Sequence, residues 1–282
     1  MKLLTLNTHS LQEENYLQKL KQFIDVILIE KPDIIAMQEV NQTITAPLAG
    51  QELLTGFYPC SNEKTALRED NHAANTAKLL REAGISCSWI SSKIGYEKYD
   101  EGMALICLGE KIISTDSFYI SKIQDYQNWK TRKVLGIQIA NCNDWFFTVH
   151  MGWWQDKEEP FSEQWKRFFS NLQKKRNEAK NVWLMGDFNS PSEIRNQGYD
   201  LIKSDGWYDT YSISEEKDNG FTVKGSIDGW KTFSEDYKQV HDGMRIDHIW
   251  CCNQVNVKSS RVIFNGNNGP VVSDHFGVII EI

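Results

Sequence analysis

Short apolar runs typical of β-strands recur from one end of the chain to the other, with helical patterns between some of them. The strand-like runs cover residues 2–7, 33–39, 103–108, 134–140, 145–150, 182–186, 245–251, 261–264 and 276–281. Apolar residues at helical spacing mark residues 17–28 and 161–172, and a third helix is predicted over 193–204. Many strands with interspersed helices predict a mixed α/β domain whose sheets are covered by helices.

The 282 residues could form one large domain or two small ones. The sequence contains no low-complexity segment, no Gly/Ser-rich or Pro-rich linker and no obvious repeat, so we expect residues 1–282 to be a single domain. It shows no secretory signal pattern and no apolar run long enough to span a bilayer. The six cysteines are scattered without a CxxC pair, which favours free thiols in a cytoplasmic protein.

The net charge of −7 makes nucleic acid a less favoured partner, because proteins that bind duplexes usually present a basic surface. The densest cationic run is Lys174-Lys175-Arg176, on a helical pattern. It is more simply a solvated helix face than a nucleic-acid patch. An acidic nuclease remains possible on charge alone.

The most informative strand ends at Gly186 and is followed at once by Asp187 and Asn189. Residues two apart on an extended chain face the same way, so these two side chains are expected to act together. The next segment, Ser190-Pro191-Ser192-Glu193, predicts a helix start with Ser190 as its cap. A helix N-terminus at this point would favour a negatively charged ligand, which makes phosphate chemistry the first hypothesis.

Other polar side chains stand at or beside the ends of predicted strands. They are Asn7, Glu39, His150, Asp247, Asp274 and His275. Each alone is more simply a cap or a turn former, but strand ends converge in a sheet and the whole set indicates one site. Glu39 with Asn7 and Asp274 supplies the oxygen ligands that suit Mg²⁺ or Mn²⁺, and no Cys or His cluster has zinc spacing.

The remaining side chains complete a phosphoester site. Asp187 could orient and deprotonate a water molecule, and His150, Asn189 and His275 could donate hydrogen bonds to phosphoryl oxygens. Asp247 could raise the pKa of His275 and hold it as a charged donor.

Five short segments, in this order, resemble the endonuclease/exonuclease/phosphatase superfamily. They are Leu6-Asn7, Gln38-Glu39, Gly186-Asp187-Phe188-Asn189, Arg245-Ile246-Asp247 and Ser273-Asp274-His275. The resemblance implies a four-layer α/β sandwich of two packed mixed β-sheets flanked by helices, and hydrolysis of a phosphoester by a divalent metal and an activated water.

The same resemblance implies a role for each matched residue. Glu39 would be the principal metal ligand, assisted by Asn7 and Asp274. Asp187 would position the water, while Asn189, His150 and His275 hold the phosphate and Asp247 pairs with His275. His9 departs from the pattern, because abasic-site nucleases carry an aspartate there.

The choice of phosphoester depends on aromatic residues near the site. Trp153-Trp154 follow His150 closely, so their rings are expected at the rim, where they could stack on a sugar or a base or only pack a loop. The acidic segment 155–159 would repel a polyanionic strand and tolerate a sugar carrying one phosphate.

Several variable segments are similar to a bacterial branch that includes maltose 6'-phosphate phosphatases. They are residues 6–10, 98–102, 128–132, 150–154 and 206–210. We therefore predict an Mg²⁺-dependent phosphatase acting on a phosphorylated sugar, with Arg132, Tyr99, Trp230 and His9 as further substrate contacts. The alternatives are a metal-dependent nuclease with the same residues and a non-catalytic carbohydrate- or phosphate-binding module.

Overall fold

The computed structural model describes residues 1–224 and 243–282, in which two mixed β-sheets pack face to face between helices. The strands are β1 (Lys2–Asn7), β2 (Ile34–Thr43), β3 (Ile85–Gly95), β4 (Tyr99–Leu108), β5 (Ile112–Tyr119), β6 (Lys133–Ile139), β7 (Asp144–His150), β8 (Asn181–Asp187), β9 (Tyr208–Asp209), β10 (Glu216–Lys217), β11 (Asp247–Cys251), β12 (Ser259–Ile263) and β13 (Gly277–Glu281). The helices are α1 (Tyr16–Glu30), α2 (Gln51–Leu54), α3 (His72–Leu79), α4 (Phe161–Glu178), α5 (Gly198–Ser204) and α6 (Thr210–Ile213), with 3-10 turns at Ser10–Gln12 and Arg81–Ala83.

Each sheet contains a central parallel pair whose neighbours are antiparallel, and the short β10 pairs in parallel with β12 at one edge of the first sheet. The first sheet has the order β10-β12-β13-β1-β2-β4-β3, with β1 and β2 parallel. The second has the order β5-β6-β7-β8-β11-β9, with β7 and β8 parallel. Because parallel strands end at the same edge, β1 and β2 in one sheet and β7 and β8 in the other each bring two carboxyl-terminal ends together.

The alternation of side chains along the strands builds three apolar layers. Leu3 and Trp183 face the space between the sheets, where they are fully buried. The next residues along, Leu4 and Leu184, face the opposite way, and the outer faces of the two sheets are covered by α1 with α3 and by α4 with α5 respectively. The expected sandwich of two mixed sheets flanked by helices is therefore confirmed.

The helix predicted over 193–204 is wrong in its first half, since a helix begins only at Gly198. The hydroxyl of Ser190 accepts a hydrogen bond from the Tyr199 amide instead of capping the next turn. Glu193 accepts from the Arg245 amide at 3.3 Å, and the Ser192 amide donates to the Arg245 carbonyl. Tertiary hydrogen bonds to the segment before β11 thus outcompete the local capping pattern, and the helix that follows Asp187 does not begin beside it.

Four strands that the apolar pattern did not predict are also present, namely β3, β5 and the two-residue strands β9 and β10. β3 is the edge strand of its sheet and carries five polar side chains: Ser86, Ser88, Ser91, Ser92 and Lys93. Within the described residues, no helix is long and apolar enough to cross a membrane.

Candidate active site

The polar residues selected from the sequence lie at one joint edge of the two sheets. Asn7 ends β1, while His150 and Asp187 end β7 and β8. Asp247 begins β11 and lies directly opposite Asp187 in the ladder. The loop before β13 is tied to the end of β1 by a hydrogen bond of 2.7 Å from the Ser273 hydroxyl to the Asn7 carbonyl. This brings Asp274 and His275 to the same edge.

Glu39 reaches this edge because β2 is irregular at that position. The pairing of β2 with β4 shifts between Met37 and Val40, and Glu39 has a φ of 51°. A bulge of this kind re-aims a side chain without ending the strand. The carboxylate of Glu39 consequently lines the cleft at the sheet edge.

Gly186 allows β8 to approach β7 closely just before Asp187. Its φ is 150°, and a Cβ at this position would lie 2.0 Å from the carbonyl oxygen of Val149. Any side chain here would force the two strand ends apart. Glycine is thus required at position 186, because only a residue without a side chain allows the close approach of the strands that places Asp187 at the site.

Asp187 is the centre of the polar cluster and is 1% exposed. Its Oδ1 accepts from the Asn189 amide at 2.7 Å, and its Oδ2 accepts from Nδ2 of Asn189 and of Asn7, each at 3.2 Å. Nε2 of His150 lies 3.6 Å and Nε2 of His275 3.9 Å from the same Oδ2. The structure therefore brings the residues predicted to be catalytic into contact around one carboxylate.

The two imidazoles of the cluster are in different charge states. Burial alone would lower the pKa of His275, but the charge of Asp247 and a 2.9 Å hydrogen bond from Nδ1 to Oδ2 of Asp247 raise that pKa well above its usual value. Burial, followed by the positive charges of Arg132 and Lys93, holds the pKa of His150 well below its usual value. His275 is thus a charged donor and His150 a neutral one at pH 7.

Burial and neighbouring carboxylates disfavour the charged forms of the two central carboxylates. Burial and the charge of Asp247 raise the pKa of Asp187 to about 7. Burial, with the charges of Glu101 and Asp274, raises the pKa of Glu39. The Nδ2 of Asn7 bridges the two groups, at 3.0 Å from Oε1 of Glu39 and 3.2 Å from Oδ2 of Asp187. Two hard oxygen donors whose negative charges are disfavoured, with Asp187 buried and Glu39 half-buried, fit a divalent metal beside them.

Other carboxylate and imidazole groups in the described residues come within 4.8 Å of one another, namely Asp187 with Asp247 and His275, and His9 with Glu13 and Asp274. In the first group, Nδ1 of His275 is hydrogen-bonded to Asp247, so Nε2 is the ring nitrogen that faces Asp187. In the second, Nδ1 of His9 lies 2.8 Å from Glu13. Burial opposes protonation of His9, but Glu13, Asp274 and Glu39 raise its pKa to about 9, so it is a cation beside Asp274.

A cleft of about 970 Å³ opens directly above the cluster. This volume is in the range of small-molecule sites, roughly 300–1,000 Å³. Its walls include Trp153, Tyr96 and Trp129, of which Trp129 is 59% exposed. Aromatic rings therefore stand next to the polar floor.

Some expected substrate contacts lie elsewhere. Trp154 is 5% exposed and packs in the core edge-on to Trp153, with ring centroids 5.6 Å apart, so it does not line the cleft. Tyr99 is 2% exposed, and its hydroxyl donates to the Leu11 carbonyl at 3.4 Å. Arg132 and His9 do line the cleft. Trp230 lies outside the described residues.

The acidic rim expected from residues 155–159 is largely neutralised. Nζ of Lys130 lies 2.8 Å from Asp156 and 2.9 Å from Glu158. Glu159 is buried and accepts hydrogen bonds from the amides of Lys122 and Ile123. Repulsion of a polyanion by this segment is thus weaker than the sequence indicated.

The cleft residues that were not selected from the sequence as contacts include Lys93, Glu101 and Trp129. Lys93 and Glu101 are opposite each other on β3 and β4, and their charged atoms are 2.6 Å apart. A lone lysine in a serine-rich strand carries no pattern that distinguishes it from a surface residue. Trp129 was noticeable as a tryptophan outside any strand-like run and as part of the segment 128–132.

We expect the His275–Asp247 pair to stabilise the fold in a pH-dependent way. The folded protein keeps the His275 proton above pH 6.5, where an unfolded histidine releases it, so this contribution is complete below about pH 6.5 and disappears as pH rises through the raised pKa. Asp247→Asn should therefore lower the free energy of unfolding by about 3 kcal/mol at pH 6, and by less at pH 9 to 10. Urea denaturation of both proteins across this range measures the difference. A difference that does not shrink with rising pH would contradict the expectation.

Two helix-covered sheets with this cluster of carboxylates and imidazoles at their joint edge define a hydrolase of the phosphoesterase class. The Endonuclease/Exonuclease/phosphatase family profile matches residues 4–275, and the chain belongs to this family. Its members are metal-dependent phosphoesterases that include sugar phosphatases, 3' phosphatases and nucleases.

Solved structures agree with this assignment. An endonuclease/exonuclease/phosphatase family protein from Leptotrichia buccalis C-1013-b is 32% identical, with a TM-score of 0.83, and the match covers 100% of this chain and 99% of that one. The mannosyl-6-phosphatase Bt3783 from Bacteroides thetaiotaomicron VPI-5482 is 17% identical, with a TM-score of 0.67 and coverage of 100% and 98%. The 3' phosphatase NExo from Neisseria, bound to a product DNA hairpin, is 16% identical, with a TM-score of 0.62 and coverage of 100% and 99%. A comparison with curated proteins found no match.

Proposed function

We propose that this protein, as a single domain, is an Mg²⁺-dependent phosphomonoesterase that releases phosphate from a phosphorylated sugar, with maltose 6'-phosphate as the first expected substrate. The observation that carries the proposal is the aromatic-walled cleft, of small-molecule size, that opens onto Asp187 and the residues around it. The mannosyl-6-phosphatase of the same fold supports a sugar phosphate as substrate. The six free cysteines support the expected cytoplasmic location.

In this proposal Asp187 orients the attacking water and accepts its proton. Its raised pKa suits a base that works near neutral pH. Neutral His150, charged His275 and Asn189 then donate hydrogen bonds to the phosphoryl oxygens as negative charge develops on them. Asp247 keeps His275 charged and oriented.

Glu39 would hold the metal, with Asn7 and Asp274 beside it. When bound there, Mg²⁺ or Mn²⁺ would neutralise charge on the phosphoryl group. Because the Nδ2 of Asn7 donates to both Glu39 and Asp187, it stabilises the paired negative charges at the place where a cation is needed.

Sugar recognition is assigned to the aromatic wall. Trp129 and Trp153 offer flat faces on which the C–H surface of a sugar ring can stack. Nζ of Lys130 lies 5.2 Å from the centroid of the Trp129 ring and also forms an ion pair with Asp156 of the neighbouring loop. The ring is thus held at the cleft entrance although much of it is exposed.

Phosphate release from a panel of substrates tests the function. The panel contains maltose 6'-phosphate, glucose 6-phosphate, mannose 6-phosphate, β-glycerol phosphate and a mononucleotide, each with Mg²⁺, Mn²⁺ or EDTA. We expect the highest kcat/KM on a sugar phosphate, and no turnover in EDTA. Absence of metal-dependent turnover on every sugar phosphate would refute the proposal.

Two variants separate sugar recognition from general phosphatase activity. Trp129→Ala should raise KM for the best sugar phosphate by about tenfold, as expected for the loss of one aromatic contact, with little effect on β-glycerol phosphate. Tyr208→Ala is the control, because Tyr208 is an exposed aromatic residue on β9, which pairs with the distal end of β11.

The neutralised acidic rim also favours a second candidate, a nuclease with the same machinery. The 3' phosphatase bound to a DNA hairpin shares this fold. Nicking of supercoiled plasmid that is lost in Asp187→Asn would support it.

A further inference from the structure

Two buried cations line the cleft beside the central cluster. Lys93 on β3 is 7% exposed, and Arg132, directly before β6, is 8% exposed. Burying a cation costs several kcal/mol unless an anion accompanies it. Buried positive charges at the floor of a binding cleft therefore indicate that the cleft binds an anionic ligand.

Only one of the two cations has a close carboxylate partner in the part of the chain that the structure describes. Nζ of Lys93 lies 2.6 Å from Oε1 of Glu101. Arg132 forms no ion pair within 4.0 Å of a described carboxylate, and its Nη1 donates to the carbonyls of Trp129 and Thr131 at 2.6 and 3.2 Å. Its Nε is buried without a hydrogen-bond partner. The guanidinium thus retains both charge and a donor for a ligand.

These cations lie on the side of the cluster where the phosphate is expected to bind. Arg132 and Lys93 line the same cleft as His150, Glu39 and Asp187. The negative charges of Glu101, Glu39 and Asp187 act on Arg132 there. A phosphoryl group held between His150 and the metal-binding residues would therefore lie in the field of both cations.

Phosphate monoesters and diesters differ in the charge that they bring to such a site. A monoester loses its second proton with a pKa near 6 and carries close to two negative charges at pH 7. A diester carries one, and its second ester group occupies the place of the third terminal oxygen. Neutral hydrogen-bond donors discriminate poorly between the monoester and the diester. An additional pair of cations binds the dianion more tightly than the monoanion.

We propose that Lys93 and Arg132 form a cationic pair that selects the dianion of a phosphate monoester over a phosphodiester. This rests on the proposed phosphomonoesterase function, because it requires the phosphoryl group to bind beside His150. Glu101 is a positioning residue in this arrangement, since it holds Lys93 at the cleft before the substrate arrives. Neither Lys93 nor Glu101 belongs to the strand-end set that performs the hydrolysis.

The test compares a monoester and a diester that share a leaving group, p-nitrophenyl phosphate and bis(p-nitrophenyl) phosphate. Arg132→Gln and Lys93→Gln should each lower kcat/KM for the monoester by about 10- to 100-fold, the effect of losing one charged hydrogen bond, mostly through KM. The diester rate should change less than about threefold, and Arg132→Lys should recover part of the monoester rate. Lys174→Gln is the charge control, because Lys174 is an exposed residue of α4.

Binding of inorganic phosphate to the metal-loaded protein, measured by calorimetry, gives a readout that does not need turnover. Its Kd should rise at least about tenfold in Arg132→Gln and remain unchanged in Lys174→Gln. Equal losses on monoester and diester would show a structural role for the pair, and an unchanged monoester rate or phosphate Kd would also overturn the inference while leaving the phosphatase assignment intact. A wild-type protein that hydrolyses only diesters would overturn both proposals.

Discussion

Asp187→Asn should lower kcat by about 10³-fold, which is within the usual effect of removing a general base. The asparagine keeps the shape of the side chain but replaces one acceptor oxygen by an NH2 donor, and it cannot accept the proton of the attacking water. Burial and Asp247 disfavour the charged form of Asp187, and relief of this penalty offsets the lost acceptor, so the metal-free variant should unfold at a Tm close to that of the wild type. Steady-state phosphate release and thermal unfolding measure the two effects.

Asp144→Asn provides the matched control. Asp144 is buried like Asp187 but begins β7, at the opposite end of the sheet, where it accepts from the Asn181 amide at 3.1 Å and from Nε1 of Trp183 at 2.8 Å. Its substitution should lower Tm and leave kcat within about threefold of wild type, as expected for a group distant from the reaction. If Asp187→Asn retained more than a tenth of the wild-type kcat, Asp187 would not be the base.

Arg245→Met should reduce the free energy of unfolding by about 3–5 kcal/mol, the usual effect of breaking a buried ion pair. Nη1 and Nη2 of Arg245 donate to the two carboxylate oxygens of Asp209 at 3.1 and 2.8 Å, and both residues are buried. The Tyr199 hydroxyl donates to the same carboxylate at 2.7 Å. Removal of the arginine leaves a buried carboxylate with two neutral donors, this hydroxyl and the Tyr211 amide.

An exposed ion pair supplies the comparison. Lys258 and Glu281 are 3.6 Å apart with side chains 59% and 43% exposed, so Lys258→Met should change the free energy of unfolding by less than about 1 kcal/mol. The double variant Arg245→Met with Asp209→Leu should recover part of the loss, because no charge is then buried alone. Urea denaturation measures all of these variants, and equal effects of Arg245→Met and Lys258→Met would contradict the argument.

The residues that could be selected from the sequence are those at the ends of apolar strands. Asn7, His150 and Asp187 each follow such a run, and the alternation within the run assigns them to a sheet edge. The resemblance of the ordered motifs then supplied the two-sheet architecture that periodicity alone left open. Local pattern was informative here because each strand is buried on both faces and is therefore continuously apolar.

Lys93 could not be found in this way, because its importance depends on the pairing of β3 with β4 and on a cleft formed by distant loops. The segment after Asn189 shows the opposite failure, where a strong local pattern for a helix start was overridden. Ser190 and Glu193 satisfy partners in Tyr199 and Arg245 that local sequence does not reveal. Tyr99 was similarly misplaced, since a strand-end aromatic can be covered by a neighbouring segment.

The two sheets contribute different halves of the site, so the rate of the reaction depends on their relative position. Asn7 and Glu39 belong to one sheet, and His150 and Asp187 to the other. Below them, Nε2 of Gln38 donates to the Thr148 hydroxyl at 2.8 Å, and that hydroxyl donates to the Met37 carbonyl at 3.2 Å. These hydrogen bonds link the two sheets and oppose sliding of one sheet over the other. A slip of about 1 Å between the sheets would separate Asp187, the proposed base, from the groups around Glu39 that would hold the metal, an error that in enzymes costs about 10²-fold in rate. The rigid packing between the two sheets is thus needed to keep the residues of the site at the spacing that the reaction requires.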